Sequence, residues 1–130
     1  MISITTKSPY ALKALTELGR QPGDAPVPIG ELARRRDIPV QFLEQLFAVL
    51  RRAGLLISQR GVKGGYRFAR DPSQITALEV VELLDGPLGA GSEGVILEAA
   101  NAARDVLSGT TIADLIEREA REAGVAMYYI

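Results

Sequence analysis

Arg60-Gly61-Val62-Lys63-Gly64-Gly65-Tyr66 decides the fold of this 130-residue chain. Two short runs of branched and aromatic residues flank it, Leu55-Leu56-Ile57-Ser58-Gln59 before and Tyr66-Arg67-Phe68-Ala69 after. Glycines between such runs supply the positive φ that a tight reversal needs, so the segment reads as a β-hairpin with Arg60 and Lys63 near its tip. A Walker-type phosphate loop fits poorly. That pattern needs Ser or Thr after the lysine and a helix beyond it, whereas Gly64-Gly65 and a second strand follow Lys63. An ordinary surface hairpin with incidental charges is the plain alternative, and the neighbouring segments weigh against it.

Upstream the apolar residues recur at helical spacing. A first helix begins at Thr6 or Ser8, either able to cap it, with Pro9 tolerated in the opening turn. Tyr10, Ala11, Ala14, Leu15 and Leu18 face inward, and residues 19–27, containing Pro22-Gly23-Asp24, break the helix. A second helix over 29–36 buries Ile29, Leu32 and Ala33 and ends in Arg34-Arg35-Arg36, where cations suit the helix dipole. Asp37-Ile38-Pro39 forms a turn. The third helix, 40–53, carries the stripe Phe42, Leu43, Leu46, Phe47, Val49 and Leu50 and is capped by Gly54. Gln41, Glu44, Gln45 and Ala48 lie off that stripe. Two short helices joined by a tight turn form a helix-turn-helix whose second helix enters the major groove, where Gln pairs with adenine and Glu accepts from cytosine N4. The same polar face could equally be solvated. Followed by strand, basic hairpin and strand, it completes a winged helix-turn-helix.

Charge divides the chain. Residues 1–70 hold 12 Lys or Arg against 5 Asp or Glu, net +7; residues 71–130 hold 3 against 11, net −8. The near-neutral total of −1 thus hides a basic half suited to phosphates and an acidic half unsuited to lie along DNA. With no His and no Cys the chain lacks disulfides, thiol nucleophiles, imidazole acid-base chemistry and zinc or iron-sulfur sites built on those ligands. Scattered carboxylates such as Glu79 and Glu82 read as helix surface, so no enzyme is expected. Met1-Ile2-Ser3-Ile4 lacks a signal-peptide pattern, and no apolar run approaches the ~20 residues that span a bilayer, so a soluble cytoplasmic protein is expected.

Beyond Asp71-Pro72, a fourth helix running to Asp85 follows Ile75-Thr76, and Gly86-Pro87 ends it. The glycines at 86, 89, 91 and 94 mark a flexible connector. Residues 95–107 form a fifth helix through Ile96, Ala99, Ala100, Ala103, Val106 and Leu107, which either packs on a second copy or folds back on its own domain. Thr111-Ile112-Ala113-Asp114 matches a capping pattern for a sixth helix that Gly124 closes. An apolar, aromatic tail follows, Val125-Ala126-Met127-Tyr128-Tyr129-Ile130.

These motifs resemble the Rrf-type winged-helix regulators over nearly the whole chain. Thr6-Lys7-Ser8-Pro9-Tyr10-Ala11 is similar to the family's opening motif, with Ser8-Pro9 where Gly and a basic residue are usual. Phe42-Leu43-Glu44-Gln45-Leu46, Leu50-Arg51-Arg52-Ala53-Gly54-Leu55 and Arg60 to Tyr66 match closely. The resemblance implies base reading by Gln41, Glu44 and Gln45, a minor-groove wing at Arg60 with Lys63, and phosphate contacts at Lys7, Tyr10, Arg51 and Arg52. Pro39 stands where a polar helix cap is common. The long helix would build a crossed homodimer on a palindromic site. Many members hold an iron-sulfur cluster through three cysteines between the fourth and fifth helices; residues 86–98 contain none, so no cofactor is expected. Asp85-Gly86-Pro87-Leu88, Thr110 to Leu115 and the ending Met127-Tyr128-Tyr129-Ile130 further resemble the branch that represses cysteine metabolism, whose partner is cysteine synthase. There the Tyr128, Tyr129 and Ile130 tail would enter the enzyme's carboxylate-binding pocket, or it packs against the dimer.

The expected architecture is mainly α with a small β-hairpin wing. It comprises a winged helix-turn-helix DNA-binding domain over 1–85, a connector over 86–94 and a dimerisation segment over 95–130. The expected function is a homodimeric repressor of sulfur or cysteine genes acting on double-stranded DNA; the alternative is an adaptor that binds cysteine synthase through its tail.

Overall fold

The computed structural model describes residues 4–128, with side chains through residue 124. Six helices and one hairpin follow in the order α1 (Lys7–Arg20), α2 (Ile29–Arg36), α3 (Val40–Arg52), β1 (Leu56–Gln59), β2 (Gly65–Phe68), α4 (Ala77–Asp85), α5 (Gly94–Ser108) and α6 (Ile112–Tyr128), with a short 3-10 turn at Pro72–Gln74. The expected mainly helical fold with a hairpin wing is therefore present. Among the described residues no helix is long and apolar enough to cross a membrane.

α1 is the hub, touching α2, α3, α4 and α6. Its Ala11, Ala14 and Leu15 are fully buried against Leu32, Leu43, Phe47, Leu50 and Ile112. Each of the buried Leu, Ile and Phe side chains contributes about 2 kcal/mol through burial, which holds short helices that would be marginal alone.

The two turns that aim α3 share one mechanism. At the end of α2, Asp37 takes a left-handed conformation (φ 55°), and the Ile38 N–H reaches back to the Ala33 carbonyl at 2.9 Å. At the end of α3, Gly54 does the same (φ 86°), and the Leu55 N–H donates to the Leu50 carbonyl at 3.0 Å. Both are Schellman closures, and the residue after each reversal, Ile38 or Leu55, is buried. Pro39 precedes α3 without a side-chain cap. The buried Ile38 and the Asp37 reversal set the angle that a polar cap would otherwise help define.

Several sequence expectations need correction. Neither Thr6 nor Ser8 caps α1. Thr5 Oγ1 instead accepts from the Lys7 N–H at 3.2 Å, and the Asp85 carboxylate at the end of α4 fixes the start of α1 by accepting from Thr5 Oγ1 at 2.6 Å and Ser8 Oγ at 2.5 Å. Gly19 lies inside α1 rather than breaking it, because Ile116 of α6 packs so close that a Cβ there would sit 2.1 Å from its Cδ1. Gly124 does not close α6, which continues to Tyr128; one glycine costs only about 1 kcal/mol in a helix already 12 residues long at that point. The connector is partly packed, with Leu88 and Gly89 buried and Gly89 against Ala100.

The expected 95–130 segment also splits. α6 joins the core through Ile112, Leu115 and Ile116, and its start is tied to α4 by the Ile112 N–H to the Ile75 carbonyl (2.9 Å) and the Ala77 N–H to the Thr110 carbonyl (2.8 Å). Thr76 caps α4, and Thr111 with Asp114 forms the expected reciprocal cap of α6, at 3.0 and 2.9 Å. Only α5 stands apart, packed on α4 and joined to it by the Arg104–Glu82 ion pair.

Candidate nucleic-acid interface

The outer face of α3 is a continuous polar stripe. Gln41, Glu44, Gln45, Arg51 and Arg52 are all exposed, while Leu43, Leu46, Phe47 and Leu50 are buried behind them. The spacing i, i+3, i+4 places the three expected base-reading residues on one face, and the two arginines extend it toward the wing.

Two aromatic pairs hold that helix. Tyr10 of α1 meets Phe42 edge-on with ring centroids 5.8 Å apart, and Phe47 meets Tyr66 of β2 edge-on at 5.2 Å. Phe42 and Phe47 thus lock α3 between the start of α1 and the root of the wing. Arg51 Nη1 adds a 3.3 Å hydrogen bond to Ser58 Oγ on β1. Of the expected phosphate-contacting residues, Lys7, Arg51 and Arg52 are exposed, whereas the Tyr10 ring is half-buried against Phe42.

β1 and β2 pair antiparallel, with Leu56 opposite Phe68 and Gln59 opposite Gly65. Gly61 and Gly65 have the expected positive φ (113° and 153°), and the two adjacent glycines at 64 and 65 also allow close backbone approach. A Cβ on Gly64 would lie 2.2 Å from the Gln59 carbonyl oxygen, and one on Gly65 would lie 2.3 Å from the Val27 carbonyl. That second approach lets Val27 and Tyr66 exchange backbone hydrogen bonds at 2.9 and 2.8 Å, so the α1–α2 loop forms a one-residue third strand bracing the wing. Arg60, Val62 and Lys63 project at the tip, Val62 fully exposed at 104%. Val62 is an apolar residue at a hairpin tip, remote from the core.

Ion pairing sorts the basic residues. Arg20, Arg35, Arg36 and Arg70 are paired with Glu119, Glu17, Glu31 and Glu79. Arg36 is the most enclosed: it bridges Glu17 of α1 at 2.9 Å and Glu119 of α6 at 2.6 Å. Burial works against its charge, but those carboxylates outweigh it and hold the guanidinium above its ordinary range. Lys7, Arg51, Arg52, Arg60 and Lys63 form no ion pair among the described residues. Lys13, Arg34, Arg67 and Arg118 are likewise without an ion pair among the described residues, so what distinguishes the cations on α3 and at the wing tip is their exposed position beside the polar stripe.

α5 presents a second kind of surface. Val95 (72%), Val106 (68%), Ile96 and Leu97 are exposed, and Ala99 and Ala102 are exposed between them. Of the six expected dimer residues, Ile96, Ala99 and Val106 are exposed, Ala103 and Leu107 are half-buried, and Ala100 is wholly buried within its own chain. Val95 and Ala102 take its place on the open face; their spacing from Ala99 and Val106 was readable in the sequence. Tyr129 and Ile130 lie outside the described residues, and Tyr128 is described only as the backbone end of α6.

Comparison with known proteins places these features in context. The sequence model of the Rrf2 family, described as an iron-dependent transcriptional regulator, matches residues 4–95. The HTH-type transcriptional regulator CymR of Bacillus subtilis is 31% identical over 138 residues, spanning 99% of this chain and 100% of that protein. The HTH-type transcriptional regulator IscR of Cereibacter sphaeroides is 38% identical over 100 residues, 72% of this chain and 64% of its own. Among solved structures, CymR (YrzC), the global cysteine regulator of B. subtilis, superposes with a TM-score of 0.81 at 32% identity, covering 91% of this chain and 98% of that one. T. potens IscR superposes with a TM-score of 0.79 at 32% identity, covering 94% and 90%. The iron dependence in the family description meets no thiolate or imidazole donor here, since the sequence contains neither Cys nor His.

Proposed function

The chain belongs to the Rrf2 family of transcriptional regulators, and from that premise we propose that it is a homodimeric repressor that reads a palindromic operator without an iron-sulfur cluster. α3 lies in the major groove with Gln41, Glu44 and Gln45 toward the bases. Arg60 and Lys63 follow the adjoining minor groove, while Lys7, Arg51 and Arg52 contact phosphates. The single observation that carries this reading is the polar, unpaired face of α3 continued by an unpaired basic wing, both braced by edge-on aromatic pairs. Glu44 argues for base reading in particular. A carboxylate facing a polyanion is unfavourable unless it accepts a hydrogen bond, and cytosine N4 is the major-groove donor it suits.

The exposed Val95, Ala99, Ala102 and Val106 face supports pairing of two copies through α5, which sets two reading helices on two half-sites. Control of sulfur or cysteine genes rests on likeness to CymR, named the global cysteine regulator of its organism. Selection of bound fragments from random DNA tests the reading. One inverted-repeat sequence should be enriched, and Glu44→Ala should relax selection at one C·G position per half-site by about 1–3 kcal/mol. Recovery of unselected sequence by the native protein would refute it.

A further inference from the structure

An open cleft of about 490 Å³ lies away from the α3 stripe and the wing tip. One wall is the end of α1 and the following loop, through Leu18, Gly19, Gln21, Gly23, Asp24 and Ala25; the other is the exit of β2, through Arg67 to Pro72. None of the residues assigned to DNA lines it.

Its charges are of both signs and unequally committed. Arg70 is already bound to Glu79 and the Gln74 carbonyl, each at 2.6 Å, and Asp71 accepts from the Ser73 N–H and hydroxyl. Arg67 and Asp24 form no ion pair among the described residues. The C-terminal end of α1, which carries the negative pole of a 14-residue helix, lies on the same wall as Asp24. A simple anion would meet that pole and Asp24; a simple cation would meet Arg67 and Arg70. A small molecule with both charges satisfies both walls, and Leu18, Phe68 and Pro72 offer apolar surface to a short side chain.

We propose that this cavity binds a free α-amino acid, its carboxylate on Arg67 and its ammonium group toward Asp24 and the end of α1. The site adjoins the wing's brace, because Val27, two residues beyond the lining residue Ala25, pairs with Tyr66, one residue before Arg67. An occupant would therefore tie the α1–α2 loop and β2 together at the root of the wing. This assignment stands apart from the DNA-binding reading and is tested without DNA.

Proteinogenic L-amino acids titrated one at a time by calorimetry, and screened by thermal shift, supply the test. At least one should bind and raise Tm, while its N-acetyl and carboxamide derivatives bind roughly tenfold or more weakly. Arg67→Ala and Asp24→Asn, both at exposed positions, should each weaken binding to a similar degree while leaving the circular dichroism spectrum unchanged. No binding by any of the amino acids, or binding indifferent to Arg67→Ala, overturns the assignment.

Discussion

α3 and α5 are amphipathic helices of similar length, 13 and 15 residues, with opposite outcomes. α3 buries Leu43, Leu46, Phe47 and Leu50 in its own domain and shows solvent Gln, Glu and Arg; α5 fully buries Ala100 and leaves Val95, Ile96, Leu97 and Val106 exposed. A helix whose apolar face is covered and whose remaining face is polar and rigidly braced suits a polar, charged partner. A helix whose apolar face is open has its packing still to complete. On the proposed reading, the same amphipathic pattern serves recognition of nucleic acid in one place and of another protein surface in the other.

Substitutions can break this contrast. The largest effect is expected at Phe47, fully buried and holding both α3 and Tyr66. Phe47→Ala should cost about 3–5 kcal/mol of stability by urea unfolding and release the wing, and a loss below ~1 kcal/mol would show that α3 is not anchored there. On α5, Val95→Glu combined with Val106→Glu should weaken self-association roughly a hundredfold in sedimentation analysis, because an unpaired carboxylate is costly to bury, while leaving unfolding of the head unchanged. Unaltered association would remove α5 from the interface.

A smaller effect is expected at Asp85, which ties the end of α4 to the start of α1. Burial favours the neutral acid, but hydrogen bonds from Ser8 and Thr5 outweigh it and hold the carboxyl below its usual 3.8. Its contribution, about 1 kcal/mol, is present above the unfolded value and is lost as pH falls through the depressed one. Asp85→Asn should lower stability at pH 7 and flatten that acid limb; a limb of unchanged steepness would place the acid sensitivity elsewhere.

Local chemistry explains how much of this was legible in sequence. The stripe of α3, the Thr111–Asp114 cap and the Arg60 to Tyr66 reversal are nearest-neighbour patterns, and all three are seen. The positions misread depend on residues far along the chain. Gly19 resembles a helix breaker until Ile116 is placed against it, and Thr6 and Ser8 resemble caps until Asp85 is found bonded to Ser8 and Thr5; Gly65 has the positive φ expected of the turn, but its contact with Val27 is equally out of reach of local pattern. On α5 periodicity identifies the helix, but only its packing on α4 decides that Ala100 turns inward and Val95 outward.

Arg60 carries the most direct test of the central claim that α3 and the wing form one nucleic-acid interface. Affinity for the selected operator should be measured for the native protein and Arg60→Ala across a salt series. The account predicts weaker binding and a log K against log salt slope shallower by about one for each wing removed from a phosphate-lined groove. Equal affinity and equal slope for the two proteins would contradict it.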